Sequence, residues 1–394
     1  MAATGGDRAS VQVINHGVIL IRDGKIEAIG RARDIDVPEG YRTIDASERW
    51  VMPGIVEAHS HIGTEGGWND MVVPLNPELW IGHGVDPEDF NIEQAVAGGV
   101  TTVHTMPGSG TNLAGFTVVI KLHGSSGEQM ILKRIGAMKI SNAFNPERRG
   151  GDLGLTRMGM SWMLRYILRK AKTYTEAWQA YEQGRVTKRP PYRPEWERMR
   201  MAFEGHIPTL VHTCRAWGVM QAIRVFHDEN HLAVIPSHTP WGGHLVGDEA
   251  AKRDAVHINI GPRLVSMLRA GEFDAHARGM GIEYRKRGVE NLSINTDAPV
   301  LPQEELSYQA AMCARFGLDD MFAMKAITIN SARALGIDDR VGSLEVGKDA
   351  DIVVKKGSLL DVTTPVDLVL IDGKVAYQRS GVNLIAEQEP GEAL

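Results

Sequence analysis

Apolar residues in this chain gather into short runs, and four of these runs end on a residue with chemistry to offer. Val51-Met-Pro-Gly-Ile-Val-Glu-Ala leads into His59-Ser-His61, Ile207-Pro-Thr-Leu-Val into His212, Leu232-Ala-Val-Ile-Pro-Ser into His238, and Leu292-Ser-Ile-Asn-Thr into Asp297. Short apolar runs bounded by turn residues predict buried strands. Between them lie helical stretches such as Glu93 to Ala97 and Asp320 to Leu335. Strands alternating with helices predict repeated βα units around a parallel sheet.

The two ends of the chain have a different texture. Val18-Ile-Leu-Ile-Arg-Asp-Gly-Lys-Ile-Glu-Ala-Ile29 turns at Asp23-Gly24, and Val369-Leu-Ile-Asp-Gly-Lys-Val-Ala-Tyr turns at Asp372-Gly373, both strong hairpin signals. Asp351-Ile-Val-Val-Lys adds another strand near the second hairpin. The expected fold is therefore α/β, a TIM-like (β/α)8 barrel over 53–338 with a small β-sandwich built from both chain ends, 1–52 and 339–394. No internal repeat or low-complexity tract interrupts this plan.

One stretch departs from the alternation. Ser161 to Met201 is basic and aromatic and is broken by Pro190-Pro191 and Pro194. It predicts two helices, about 158–184 and 194–203, joined by a polar loop placed to lie over the barrel mouth. Trp162, Trp178, Tyr181, Tyr192 and Trp196 could line a pocket, although aromatics at helical spacing more often pack a core. Arg185, Lys188, Arg189 and Arg193 read as a solvated loop before they read as a carboxylate site.

Length and composition fit a large enzyme. The 394 residues are 43% hydrophobic, enough to bury a sizeable core. A formal charge of -6 excludes a basic nucleic-acid surface and leaves a small-molecule substrate as the expected partner, with homo-oligomer formation left open. Only Cys214 and Cys313 are present, in no Cys-x-x-Cys pattern, so histidine and carboxylate must do any metal work. No run approaches the roughly twenty apolar residues of a membrane span, and Met1 to Arg8 lacks the apolar core of a signal peptide. The expectation is a cytoplasmic protein with no membrane partner.

Successive side chains on a strand point to opposite faces, so His59 and His61 share one face and can grip one cation while Ser60 looks away. A lone pair of strand histidines is often plain packing, and so is a lone His212 or His238. In a parallel barrel, however, the C-terminal ends of different strands meet on one rim, where His59, His61, His212, His238 and Asp297 would converge.

These residues resemble the amidohydrolase superfamily of metal-dependent hydrolases, in its imidazolonepropionase and prolidase-like branch. The resemblance rests on Pro53-Gly54 ahead of His59-Ser-His61, on Gly98-Gly-Val-Thr-Thr102, and on His212, His238 and Thr296-Asp297. It runs nearly end to end, with Ala326 to Leu335 and Gly342 to Val353 looking like the last barrel helix and the return to a small β domain. It implies a divalent metal, expected to be zinc, at one or two ions per chain. It also implies a lysine on the fourth strand whose amine has become a carbamate bridging two metals. Lys139 matches that strand, and Lys121, in Val118-Val-Ile-Lys, competes for the role. A carbamate forms only from a neutral amine, so the site must depress the lysine pKa. The segment from Asn145 to Arg148 resembles one that carries an acidic residue where this chain has Phe144, a departure that bears on the substrate pocket.

The implied chemistry is hydrolysis by metal-activated water. Histidine and carboxylate ligands on a zinc-like ion lower the pKa of bound water from about 15.7 towards 7. Asp297 would take the water proton and pass it to the leaving amine, with His238 or His212 assisting at the carbonyl oxygen. Glu57 faces the same side as His59 and is a candidate to support it. His244, His257 and Arg215 are the candidates for substrate contact, and His104 could also face the site. The expected activity is that of an amidohydrolase on a carbon–nitrogen bond in a cyclic amide, an N-acyl amino acid or a dipeptide. The competing readings are hydrolytic deamination of a ring imine and, from another class, a catalytically silent barrel kept for binding.

Overall fold

The computed structural model describes residues 13–64, 66–148, 156–266 and 278–385. Strands β1 (Gly17–Arg22) and β2 (Lys25–Arg31) form an antiparallel hairpin. Its turn residues Asp23 and Gly24 have φ of 51° and 77°, the left-handed pair that a two-residue hairpin requires and that Asp-Gly accepts. β3 (Trp50–Pro53) passes through Gly54 into β4 (Ile55–Ser60), which is buried throughout and pairs in parallel with β5 (Val100–Thr105). Gly54 is required by close approach, since a Cβ there would lie 2.2 Å from Thr101 Oγ1.

Then come β6 (Leu113–Phe116), β7 (Val118–Lys121), β8 (Ile131–Lys133), β9 (Met138–Ser141), β10 (Thr209–Thr213), β11 (Val234–His238) and β12 (Ile258–Ile260). A short antiparallel pair, β13 (Val265–Ser266) with β14 (Arg278–Gly279), precedes β15 (Leu292–Ile294). The strands β9, β10, β11, β12 and β15 are parallel neighbours in that order. The chain closes with β16 (Ile352–Lys355), β17 (Val366–Ile371) and β18 (Lys374–Gln378).

The fold is α/β, but its sheets are mixed, and the unbroken parallel order expected from the βα pattern fails at one place. β6 pairs antiparallel to β9, and β7 pairs antiparallel to β5 and β8. Thr117 links β6 to β7, donating its amide to Ala137 O and accepting from Gly136 N, so this stretch of chain runs backwards between its neighbours. At the other side, the end of β4 meets the segment after β15: Ser60 bridges Ala298, and His61 N donates to Ala298 O at 2.8 Å.

The chain ends pair with one another. β16 lies antiparallel between β3 and β17, giving the order β18-β17-β16-β3, and Lys25 bridges Asp349. One apolar cluster joins Ile26 of β2 to Leu344, Ala350, Ile352, Val354, Leu368, Leu370 and Leu384. Beneath it sits a buried charge network. Lys121 Nζ lies 2.7 Å from Asp349 Oδ2 and 3.1 Å from Asp351 Oδ1, and it also bonds to Asp372. Burial alone would lower the Lys121 pKa, but Asp351, Asp349 and Asp372 raise it overall, so the amine stays protonated. A protonated amine cannot take up carbon dioxide, which removes Lys121 from the candidates for a carbamate.

The basic, aromatic segment folds as the helices Arg157–Glu182 and Pro194–Phe203, within a few residues of the expected bounds. Their aromatics mainly pack. Tyr174 meets both Trp178 and Trp196 edge-on, while Trp162 stacks on Tyr166 at 5.2 Å on an exposed face. Arg200 is buried against Trp178 and is neutralised by Glu182, Glu197 and Glu204. No helix among the described residues is long and apolar enough to cross a membrane.

Candidate functional site

The strand ends meet as the sequence pattern expects. Alternation along β4 brings His59 and His61 to one side, and their Nε2 atoms lie 3.3 Å and 3.2 Å from Asp297 Oδ1. The ligand atoms of His59, His61 and Asp297 all fall within 4.8 Å of one another. The His238 ring stands 4.3 Å from that of His59 and 4.6 Å from that of His212. Lys139 Nζ lies 3.4 Å from His59 Nε2, fully buried.

Hydrogen bonds at the outer nitrogens orient these rings. His61 Nδ1 donates to Met106 O at 2.7 Å and His238 Nδ1 donates to Gly261 O at 2.8 Å, because a carbonyl can only accept. With Nδ1 committed to a carbonyl, Nε2 is the atom each ring turns inward. His59 Nδ1 is held by Ser237 Oγ at 2.7 Å. His238 Nε2 and both ring nitrogens of His212 are buried without a hydrogen-bond partner.

Electrostatics sharpen the picture. Burial, aided by Lys139 and His238, keeps His59 neutral, and burial with His238 and Lys139 does the same for His212. Burial alone would raise Asp297, but the surrounding His238, His59 and His61 hold it ionised, well below the usual carboxylate range. Burial pushes the Lys139 ammonium down to about 7. The site thus gathers inward-facing ring nitrogens around an anionic oxygen.

The backbone is bent to make this possible. His238, Thr239 and Trp241 have φ of 69°, 52° and 55°, Asp297 has 54°, and Phe144 and Arg215 have 63° and 65°. Left-handed non-glycine residues cost roughly 1–3 kcal/mol each and gather at functional sites. Leaving the strand in this way lets Ser237 and His238, adjacent in sequence, both address His59, which simple alternation forbids. Gly261 is part of the same arrangement: its φ is 121°, and a Cβ there would lie 2.1 Å from Asn295 O. Gly261→Ala is therefore expected to lose at least about 2 kcal/mol from strain and overpacking, read as a lower urea midpoint. An unchanged midpoint would contradict this.

The other candidates have partners of their own. His257 precedes β12 and bonds Ser293 Oγ at 3.0 Å, at the end of the strand opposite Ile260 and Gly261, so it does not line the rim. Its place is corrected for a physical reason: a residue entering a strand faces the far end of the sheet. His244 is buried in the turn Gly243–Val246, where Arg287, Glu283 and Arg278 are the charges that act on it. Arg215 begins the helix Arg215–Ala222 and donates its backbone N–H to Pro240 O. His104 is enclosed between Ala58 O and Thr117 Oγ1, and burial holds it down to about 3, which makes it a packing residue. Phe144 packs edge-on against Trp241 at 5.3 Å, an aromatic contact where the resemblance expects an acid.

Sequence reasoning missed Ser237, the carbonyls of Met106 and Gly261, and the residues around Glu57. Glu57 is fully buried, accepting from His59 N at 2.9 Å, Thr296 N at 2.9 Å, Thr296 Oγ1 at 2.8 Å and Gln303 Nε2 at 3.0 Å. Burial pushes its carboxyl up to about 7 against these donors. Backbone carbonyls carry no sequence signal, and Gln303 stands in no motif.

The sequence pattern of the amidohydrolase family matches residues 50–376. Amidohydrolase tasK of Hapsidospora irregularis is 26% identical over 413 aligned residues, which cover 93% of this chain and 39% of that protein. The chain thus spans well under half the length of that relative. An imidazolonepropionase of Brucella anthropi is 23% identical, with 94% of this chain and 93% of that protein aligned. The crystal structure of an amidohydrolase from Thermotoga maritima MSB8 superposes with a TM-score of 0.82 at 30% identity, covering 92% of this chain and 95% of that one.

Proposed function

The chain belongs to the amidohydrolase family, and on that premise we propose that it is a metal-dependent hydrolase of a carbon–nitrogen bond outside standard proteins. The substrates that fit this reading are a cyclic amide, an N-acyl amino acid or a dipeptide. The observation that carries it is the convergence of the His59 and His61 Nε2 atoms on the ionised Asp297, beside the unpartnered nitrogens of His212 and His238. Buried polar atoms without partners are costly. A divalent cation would give these nitrogens and the carboxylate a shared partner, so the residues fit a metal.

His59, His61, His212, His238 and Asp297 would hold it. Lys139, whose amine lies 3.4 Å from His59 Nε2, would complete a two-ion site as a carbamate. Zinc is the expected ion, since borderline nitrogen and oxygen donors suit it. When bound, the metal supplies a water whose pKa is lowered towards about 7 and an electrophile for the amide oxygen. Asp297 accepts the water proton as the carbonyl is attacked and returns it to the leaving nitrogen. His238 has committed Nδ1 to Gly261 O, so its neutral ring offers Nε2 as a ligand and cannot also donate to an oxyanion.

The same reading extends to the architecture. Continuity through Thr117 and the Ser60–Ala298 bridge support one closed barrel over 53–338, with its third stave reversed. The pairing of β3 with β16 and the shared cluster around Ile26 support a β-sandwich from 1–52 and 339–394.

A panel of N-acyl amino acids, dipeptides, cyclic amides and amino-substituted rings, offered to zinc-loaded protein, tests the function. Release of a primary amine or ring opening, abolished by chelator and restored by zinc, is the expected outcome. Ammonia from amino-substituted rings alone would replace the amidase reading with deamination. No turnover by fully loaded protein would favour a binding role.

A further inference from the structure

The loop that carries Asp297 is tied at both ends to one buried carboxylate. Residues 297–302 lie between Thr296 and Gln303, and Glu57 Oε2 accepts from Thr296 N, Thr296 Oγ1 and Gln303 Nε2. Glu57 Oε1 meanwhile accepts from His59 N. Gln303 Nε2 also reaches Thr296 Oγ1 at 3.3 Å, so the two ends of the loop touch each other as well as Glu57. Beyond Gln303 the chain is wedged in place, since a Cβ at Gly98 would lie 2.6 Å from Glu304 Cα. The loop itself reaches solvent, with Val300 62% exposed.

We infer that Glu57, with Thr296 and Gln303, is a positioning device that closes the Asp297 loop and fixes its carboxylate against His59 and His61. The inference rests on the reading of Asp297 as the working carboxylate. Three observations carry it. The same side chain fixes the backbone of His59 and the residue before Asp297, so it couples two ligand-bearing strand ends. Asp297 sits at φ 54°, a conformation that surrounding contacts must hold in place. Gln303 Oε1 is buried without a partner, so this amide costs stability on one side and is explained by the bond its Nε2 makes to Glu57.

That half-satisfied amide supplies the decisive variant. Gln303→Leu keeps the volume and removes the unsatisfied oxygen along with the donor, so its unfolding midpoint should match that of wild type. Hydrogen exchange of the metal-free protein should show the 296–303 peptide exchanging at least tenfold faster, with other peptides unchanged. Zinc affinity, measured by competition with a chromophoric chelator, should fall by about 10–100-fold, the usual effect of losing a group that orients ligands. Glu57→Gln, which must set an amide N–H against at least one of the four donors, should give the same local pattern with a larger loss. The inference is overturned if both variants keep wild-type exchange at 296–303, or if exchange rises uniformly across the chain. Faster local exchange in protein that binds no zinc in any form would sustain the clamp while defeating the metal reading.

Discussion

Asp297→Asn is expected to abolish turnover while leaving the fold intact. Asparagine matches aspartate in size and tolerates the left-handed backbone that Asp297 adopts, so little strain is added. What is lost is the proton acceptor and the anionic oxygen that His59 and His61 approach. General acid–base catalysis alone contributes about 10²–10⁴-fold, so kcat per metal-loaded chain should fall at least about 10³-fold. The check is kcat at saturating substrate with metal content measured on the same sample, alongside the thermal midpoint. A rate within tenfold of wild type would remove Asp297 from the mechanism.

Lys121→Met should be the most damaging single change to stability. It removes the cation shared by Asp349, Asp351 and Asp372 from a place where Lys121 is 4% exposed. Breaking a buried ion pair from one side costs about 3–5 kcal/mol, because the partner charge is left uncompensated. The pH dependence has a definite sign. Burial first, with Lys121 and the Asp372 amide opposing it, leaves Asp351 raised to about 6 from 3.8, so the native state holds a proton there that the unfolded chain releases. Lowering the pH below about 6 neutralises that carboxyl, and the penalty in Lys121→Met should shrink between pH 8 and pH 5. Asp349 acts in the opposite sense. Burial would raise it, but Arg340, Lys121 and Lys25 hold it down to about 2, so its contribution is present above about pH 4 and is lost as pH falls towards 2. Urea unfolding at pH 8 and pH 5 reads the Asp351 contribution, and a further measurement near pH 3 reads the Asp349 contribution. Equal stability of variant and wild type at pH 8 would show that the network contributes nothing.

The parts of this protein that were legible in sequence are those written in periodicity and turn chemistry. Asp23-Gly24 and Asp372-Gly373 form the hairpins their residue types demand, and the alternation of His59 with His61 sets both on one side. The endings at His212, His238 and Asp297 gather because parallel strands share a C-terminal edge. Direction was not legible: Val118 to Lys121 is an apolar run whichever way it points, so the reversal of β6 and β7 left no mark. His257 was misplaced for a related reason, since an apolar strand flanked by polar residues does not say which flank is the working end. The left-handed turn at His238 hides Ser237 from any alternation rule, and Glu57 was visible as a candidate only because it lies two residues before His59. Its partners Thr296 and Gln303 come from distant sequence and are united by tertiary packing alone. Lys139 and Lys121 look alike in sequence, and only their surroundings separate an amine eased towards neutrality from one locked in charge.

Metal content per chain, by elemental analysis of protein purified without chelator and in the presence of bicarbonate, tests the central claim most directly when wild type and Lys139→Ala are compared. The expected result is one or two zinc-like ions per wild-type chain, with two falling to one or none in Lys139→Ala if the lysine carries a bridging carbamate. Wild-type protein that holds no metal, and takes up none when it is supplied, would contradict a metal-dependent hydrolase at His59, His61, His212, His238 and Asp297.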